Sequence, residues 1–334
     1  MKKMKFETKI VWSLVFAIIL MCVSVGCTDA QHSPSSFPSS TNGPVVQQPS
    51  TTTMPTTQLP QPTTQPTAPT QQPTAPTQQP TQPDPTLPIE PHNPVPEHLR
   101  NNYYLGSKGQ GDCEEMLGDV NVLVIFVSDT LSKWDVESIE AAKRTFADHE
   151  TNMEAAAKRY GAEMEMTMTF LEATIAIPFV IDAGKPITPA YSALKKLGMG
   201  DAFYDQEILE KQYEADSVPV LFVLNRQGRA FALAMDAQTD LLECAVIYGD
   251  DLSSVRHELY HIFGAQDFYF PDETIAAQEK YLPNSIMNNH YHDVDDLTAF
   301  LIGWLDELSQ NALNFLEDTN HLTKEEIEHA KEQN

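Results

Sequence analysis

Residues Cys244-Ala245-Val246-Ile247-Tyr248-Gly249 and, a few positions on, Ser253-Ser254-Val255-Arg256-His257-Glu258-Leu259-Tyr260-His261-Ile262-Phe263-Gly264-Ala265-Gln266-Asp267 decide how the rest of the chain is read. The first piece is a short apolar run closed by glycine, the pattern of a buried strand. In the second, Leu259, Ile262 and Phe263 recur at helical spacing, which predicts a half-buried helix from about Ser253 to Phe263. A strand handing over to such a helix is a unit of layered α and β structure.

The segments outside that unit agree with it. Val120–Ser128 is a β-branched run that reads as a buried strand. Asp135–Tyr160 has helical spacing, with Ile139, Ala142, Phe146, Met153 and Ala156 on one side, and Gly161 stops it. Glu163–Phe170 alternates with period two, as a strand with one wet face does. Val218–Asn225 and Arg229–Met235 flank Arg226-Gln227-Gly228 and read as a hairpin. Downstream, Asp295–Leu308 is expected to be one amphipathic helix, and Thr323–Gln333 a charged surface helix. The expected fold is α/β (α+β), a mixed twisted sheet with a long helix, the helix of the motif and C-terminal helices.

Composition divides the chain of 334 residues into three regions. Of 24 prolines, 18 fall between Pro34 and Pro96. Residues 1–94 are neutral, and residues 95–334 carry 17 basic and 43 acidic side chains, the whole net charge of −26. Such a balance argues against a nucleic-acid partner and against direct docking on an anionic membrane, because phosphates are repelled. By Coulomb attraction it would favour basic substrates, or it serves only to keep the surface solvated. Lys2, Lys3, Lys5 and Lys9 precede an apolar run from Ile10 to Gly26, so residues 1–26 read as an export signal. Residues 27–96 are a Pro/Thr/Gln-rich stalk, too poor in aliphatic side chains to fold and biased to polyproline II. Fully extended, it would reach about 200 Å at ~3.1 Å per residue. Residues 97–334 remain for the folded domain.

The predicted helix carries the chemistry. His257 and His261 are four apart, project from one face of a helix and can bind a single metal ion. Imidazole nitrogens suit Zn²⁺. Glu258 lies beside that face, within reach of a water on the metal without being a ligand itself. Gly264 lets the chain leave the helix, and a turn can bring the carboxylate of Asp267 back to the same ion. Three ligands, one open position and one base are the layout of a catalytic zinc site.

These residues resemble the HExxHxxGxxH/D pattern of the metzincin metallopeptidases, within them the snapalysin-like variant whose motif ends in Asp. Asn284-Ser285-Ile286-Met287 resembles the family's Met-turn, which places a methionine, here Met287, beneath the metal. The resemblance implies a metzincin-like domain with one catalytic Zn²⁺ and Glu258 as general base. It also implies hydrolysis of a peptide lying antiparallel to an edge strand, here Arg229–Met235 or its hairpin partner. The chain departs from the family where some members carry a tyrosine two residues past the Met-turn methionine: Asn289 stands there. Tyr291 and Tyr269 are then the candidates for steadying the tetrahedral intermediate. His290 and His292 offer other third ligands, and Glu279 mimics a glutamate ligand of a different clan.

Val23-Ser24-Val25-Gly26-Cys27 resembles a bacterial lipoprotein signal, with Ser24 where leucine is commoner. It implies lipidation at Cys27; an uncleaved signal anchor is the alternative, and positive-inside topology puts the domain outside the membrane in both cases. Cys113 and Cys244 would either form one disulfide or stay buried and unpaired, and Cys113 is also placed to cover the zinc as a plug. The expected protein is a lipid-anchored, monomeric zinc endopeptidase facing the extracytoplasmic side, acting on a peptide or protein substrate outside the cell. The alternative is a surface-binding lipoprotein that keeps the fold without catalysis.

Overall fold

The computed structural model describes residues 91–181, 188–234 and 242–332. The signal 1–26, Cys27 and all of the stalk up to residue 90 lie outside the described residues.

β1 (His92–Asn93) is followed by the long strand β2 (Gly118–Ser128), the helix α1 (Val136–Arg159) and the strand β3 (Met164–Thr174). Asp135 starts α1 as its N-cap, its carboxylate accepting from the Ser138 N–H at 2.8 Å. All five apolar positions expected along α1 are buried. Two helices the sequence pattern did not announce, α2 (Thr188–Lys196) and α3 (Glu207–Tyr213), precede β4 (Val220–Leu224), β5 (Phe231–Leu233) and β6 (Cys244–Tyr248). Then come α4 (Val255–Ile262), α5 (Asp272–Tyr281), α6 (Asp296–Leu301), β7 (Leu308–Ser309), α7 (Gln310–Thr319) and α8 (Lys324–Glu332). β1 pairs with β7, so His92 and Asn93, ahead of the boundary expected at residue 97, already belong to the fold.

The main sheet has the order β3-β2-β4-β6-β5, parallel except for β5, which runs antiparallel along β6 at one edge. The protein is a mixed α/β fold with helices on both faces. β2 shows why its sequence is a continuous apolar run: Val122, Val124 and Phe126 enter the core shared with α1, α4 and α7. Leu123, Ile125 and Val127 enter the opposite core, with α2 and α3. A parallel strand covered on both faces has no wet side to encode.

The expected hairpin is not formed. β4 and β5 are separated by β6, which pairs with both. All five residues of β4 are buried, so both of its edges need backbone partners, and β2 and β6 supply them. The Arg226-Gln227-Gly228 segment is therefore a crossing rather than a hairpin turn. The expected helix 295–308 is also cut short. α6 ends at Leu301, and Gly303 at φ 90° closes it, with Trp304 N–H donating to the Ala299 carbonyl at 2.8 Å.

Cys113 and Cys244 are both buried and unbonded. They belong to cores on opposite sides of the sheet, and the Cys113 sulfur accepts from the Gln206 amide at 2.9 Å. Neither a disulfide between them nor a zinc-covering role for Cys113 survives that placement.

A charged clamp holds the carboxyl ends of β2 and β4. Asp129 is only 4% exposed, yet one carboxylate oxygen accepts from the Leu131 and Ser132 N–H groups, each at 2.8 Å. The other accepts from Phe179 N–H at 2.6 Å and from Arg226 Nη1 at 2.7 Å. Arg226 also donates to the Phe179 carbonyl. Burial alone would raise the Asp129 carboxyl, but the bonds from Phe179, Arg226, Ser132 and Leu131 outweigh it and hold it at about 2.

Candidate metal centre

α4 leaves β6 through a short 3-10 turn (Leu252–Ser254) and packs its buried Val255 and Leu259 into the core beside α1. That fixes the direction in which His257 and His261 project. The helix ends in a Schellman turn: Gly264 N–H donates to the His261 carbonyl at 3.0 Å and Ala265 N–H to the Tyr260 carbonyl at 3.0 Å. Gly264 takes φ 95°, and a Cβ there would stand 2.6 Å from the Ser107 carbonyl oxygen. The turn serves the site directly, because the Ala265 carbonyl accepts from His261 Nδ1 at 2.8 Å and the next two residues bring Asp267 back. Gly264→Ala is accordingly expected to destabilise the fold by roughly 1–3 kcal/mol, read as a lower urea midpoint, and to weaken metal binding together with it.

His257 is held in the same way from another direction. Its Nδ1 donates to the Ile286 carbonyl at 2.9 Å, within the turn Asn284–Met287. Met287 is fully buried, and its carbonyl accepts from the Phe268 N–H at 3.1 Å. One turn therefore orients a histidine and anchors the residue after Asp267. It is itself pinned by Asp295, which bonds Ser285 Oγ at 2.5 Å and caps α6 through the Leu297 and Thr298 N–H groups.

Carbonyl oxygens only accept, so both Nδ1 atoms carry the hydrogen and both Nε2 atoms are bare lone pairs in the neutral rings. Those atoms converge with Asp267 Oδ1. His257 Nε2 lies 3.2 Å from His261 Nε2, and Asp267 Oδ1 lies 3.2 Å and 3.0 Å from the two nitrogens. Asp267 Oδ1 is buried and has no hydrogen-bond donor. With both rings neutral, three acceptors at these distances repel one another, and a metal cation or a shared proton relieves the repulsion. A tetrahedral ion with bonds of about 2.0–2.1 Å holds its ligand atoms about 3.3–3.4 Å apart, so the triangle fits zinc closely. Without a metal, a proton on His261 answers the same crowding, and a metal has to displace it. Burial opposes the charged form of His261, but Asp267 overrides it and raises the imidazole to about 9. Burial likewise works against the Asp267 carboxylate, and the two histidines pull it far below its usual range.

A cleft of about 480 Å³ opens above these atoms, lined on one side by Glu258, His261 and Asp267 and on the other by residues 229–232 along β5. Glu258 is buried, which raises its carboxyl above the ordinary value. Tyr269 also lines the cleft, its ring stacked on His257 at 6.4 Å and 21°. Burial, then the Asp267 carboxylate, push its phenol well above the usual range.

Comparison with protein-family models and with curated proteins returns no match. The assignment of each residue thus stands on position. Among the described residues, His257, His261 and Asp267 form the one group of three side chains placed so that they could hold a metal ion. Tyr291 is 72% exposed, with its ring against His290 at 4.1 Å, and it does not line the cleft. It sits on the far turn beyond Met287, whose N–H donates instead to Ser285 Oγ. His290 and His292 stay outside the ligand group, and Glu279 lies on the exposed side of α5. Arg229 and Asp295 were not singled out from the sequence. For Asp295 the signal was present, an Asp immediately before a helical run with Thr298 three positions on. For Arg229 there was none, because its place in the cleft depends on which edge β5 occupies.

Proposed function

We propose that the chain is a zinc-dependent peptidase of metzincin type, with His257, His261 and Asp267 as ligands and Glu258 as general base. The observation that carries this reading is the convergence of His257 Nε2, His261 Nε2 and Asp267 Oδ1 within 3.0–3.2 Å of one another, each histidine locked by a carbonyl at its other nitrogen. A bound Zn²⁺ would supply Lewis acidity, lowering the pKa of a water towards neutrality and polarising a substrate carbonyl.

The chain's own groups do the rest. Glu258 takes the proton of the attacking water and passes it to the leaving amine, and its burial raises its proton affinity towards that task. Among the described residues β5 is bonded only to β6, which leaves its outer edge for an extended peptide to add antiparallel, with Glu258 in the same cleft. Tyr269 takes the role left open between two tyrosines, because its ring stands beside His257 where a developing oxyanion could accept its hydroxyl hydrogen. Tyr269→Phe is expected to lower kcat on the order of 10²-fold with little change in KM, measured on a cleavable peptide; an unchanged kcat would remove Tyr269 from the mechanism.

The proposed setting follows from the sequence ahead of the fold. Residues 1–26 export the chain, lipid on Cys27 anchors it, and residues 27–96 hold the domain off the membrane, facing outward as a monomer. Globomycin treatment, which blocks lipoprotein signal cleavage, is expected to retain the uncleaved precursor. A peptide-library assay on the zinc-loaded chain, with a chelator control, tests the activity itself.

A further inference from the structure

One cleft residue has no part in the chemistry described so far. Arg229 lies just before β5, is exposed, and is the only Lys or Arg side chain lining the cleft among the described residues. Its guanidinium stands 5.9 Å from the centre of the Tyr269 ring, and Nη2 donates to the Tyr269 hydroxyl at 3.4 Å. Stacking and that bond hold the planar group in place while leaving most of its five donors unused. Among the described residues no carboxylate forms a contact ion pair with it, although its charge acts on Glu258 in the same cleft; the buried arginine–carboxylate pair of the fold is formed by Arg226.

The wall beside it is built from Ala230, Ala232 and Ala234. Small side chains leave room next to the guanidinium for a group brought in from outside. A fixed, unpaired guanidinium in a concavity is matched by a carboxylate, which it can hold through two parallel bonds. The contrast with the domain's surface sharpens the choice. Residues 95–334 carry 43 acidic against 17 basic side chains, a field that repels anions at long range. An anionic ligand can be accepted only where a cation stands within contact distance.

We propose that Arg229 is a specificity-determining residue that binds a carboxylate of the substrate next to the scissile bond. This rests on the peptidase reading above and reverses the preference for basic substrates that the net charge suggests. The carboxylate can come from an Asp or Glu side chain or from the substrate's C-terminus, and the chemistry at Arg229 is the same.

The test uses the full chain, zinc-loaded, and peptides that differ only by Glu or Gln at each position flanking the cleaved bond, each with a free or an amidated C-terminus. Wild type is expected to favour one carboxylate-bearing peptide by about tenfold or more in kcat/KM. If the gain follows the Glu position, the side chain is the source; if it follows the free terminus, the terminus is. Arg229→Gln should bring that ratio to within about twofold, and Arg229→Glu should turn the preference towards Lys. No carboxylate preference at any position, or a preference that survives Arg229→Gln, would overturn the proposal while leaving the peptidase reading intact. Equilibrium binding of the same peptides to Glu258→Gln, followed by fluorescence anisotropy, separates the two failures. Absence of cleavage in wild type counts against the peptidase reading alone, and Arg229 is then judged by whether Glu binds more tightly than Gln and loses that advantage in Arg229→Gln/Glu258→Gln.

Discussion

Glu258→Gln is expected to lower kcat/KM by a factor on the order of 10²–10⁴ while leaving one zinc per chain. The two halves of that outcome come from different atoms. Metal affinity is expected to reside in His257 Nε2, His261 Nε2 and Asp267 Oδ1, and the bonds that orient the histidines run to Ile286 and Ala265, none of which the substitution touches. Glutamine keeps the size and the burial of Glu258 but cannot accept and return a proton. The fold should be unaffected, because the amide removes a buried carboxylate whose charged form is already disfavoured by desolvation. Zinc analysis and steady-state kinetics on one preparation check both halves. A variant that keeps full turnover would show that another group carries the proton.

The largest stability effect is expected at the clamp on the carboxyl ends of β2 and β4. Asp129→Ala removes the acceptor for three backbone N–H groups and the counter-charge of Arg226 at once. Taking one member from a buried pair leaves an uncompensated charge, and the loss should be about 3–5 kcal/mol, read from urea unfolding. The Asp129/Arg226 double variant Asp129→Ala/Arg226→Met should recover part of it, since the stranded guanidinium is gone. The same clamp sets an acid limit. The Asp129 carboxyl is depressed in the fold from 3.8 to about 2, so the folded state binds the proton less readily than the unfolded one. Its stabilisation is present above about pH 4 and is lost as pH falls towards 2, a contribution on the order of 2 kcal/mol. Unfolding midpoints measured across pH 2–6 should therefore fall in acid for the wild type and be flatter for Asp129→Ala.

Much of the site was legible in the sequence because its spacing is set locally. A helix fixes His257 relative to His261, and a single Schellman turn fixes Asp267 relative to both, so the convergence of the three side chains follows from eleven consecutive residues. Strands β2 and β6 and the helix α1 were legible for a related reason, an apolar pattern long enough to have one reading. What failed was non-local. The hairpin of β4 and β5 was the natural reading of two apolar runs around a glycine, and only the burial of β4 on both faces shows why β6 must lie between them. Tyr291 and Tyr269 were equivalent on paper, and the choice between them depends on where the turn after Met287 points. The pairing of Cys113 and Cys244 turned on which face of the sheet each thiol takes, which counting cysteines cannot reveal.

On the proposed mechanism, one ion held by His257, His261 and Asp267 makes this chain a hydrolase. It is tested most directly by measuring peptide cleavage as zinc is titrated into metal-free protein. The expected result is no cleavage at zero occupancy and a linear rise that ends at one zinc per chain, with neither binding nor cleavage reaching that level in Asp267→Ala. Cleavage by the metal-free chain, or one tightly bound zinc without cleavage of any peptide in the library, would contradict it.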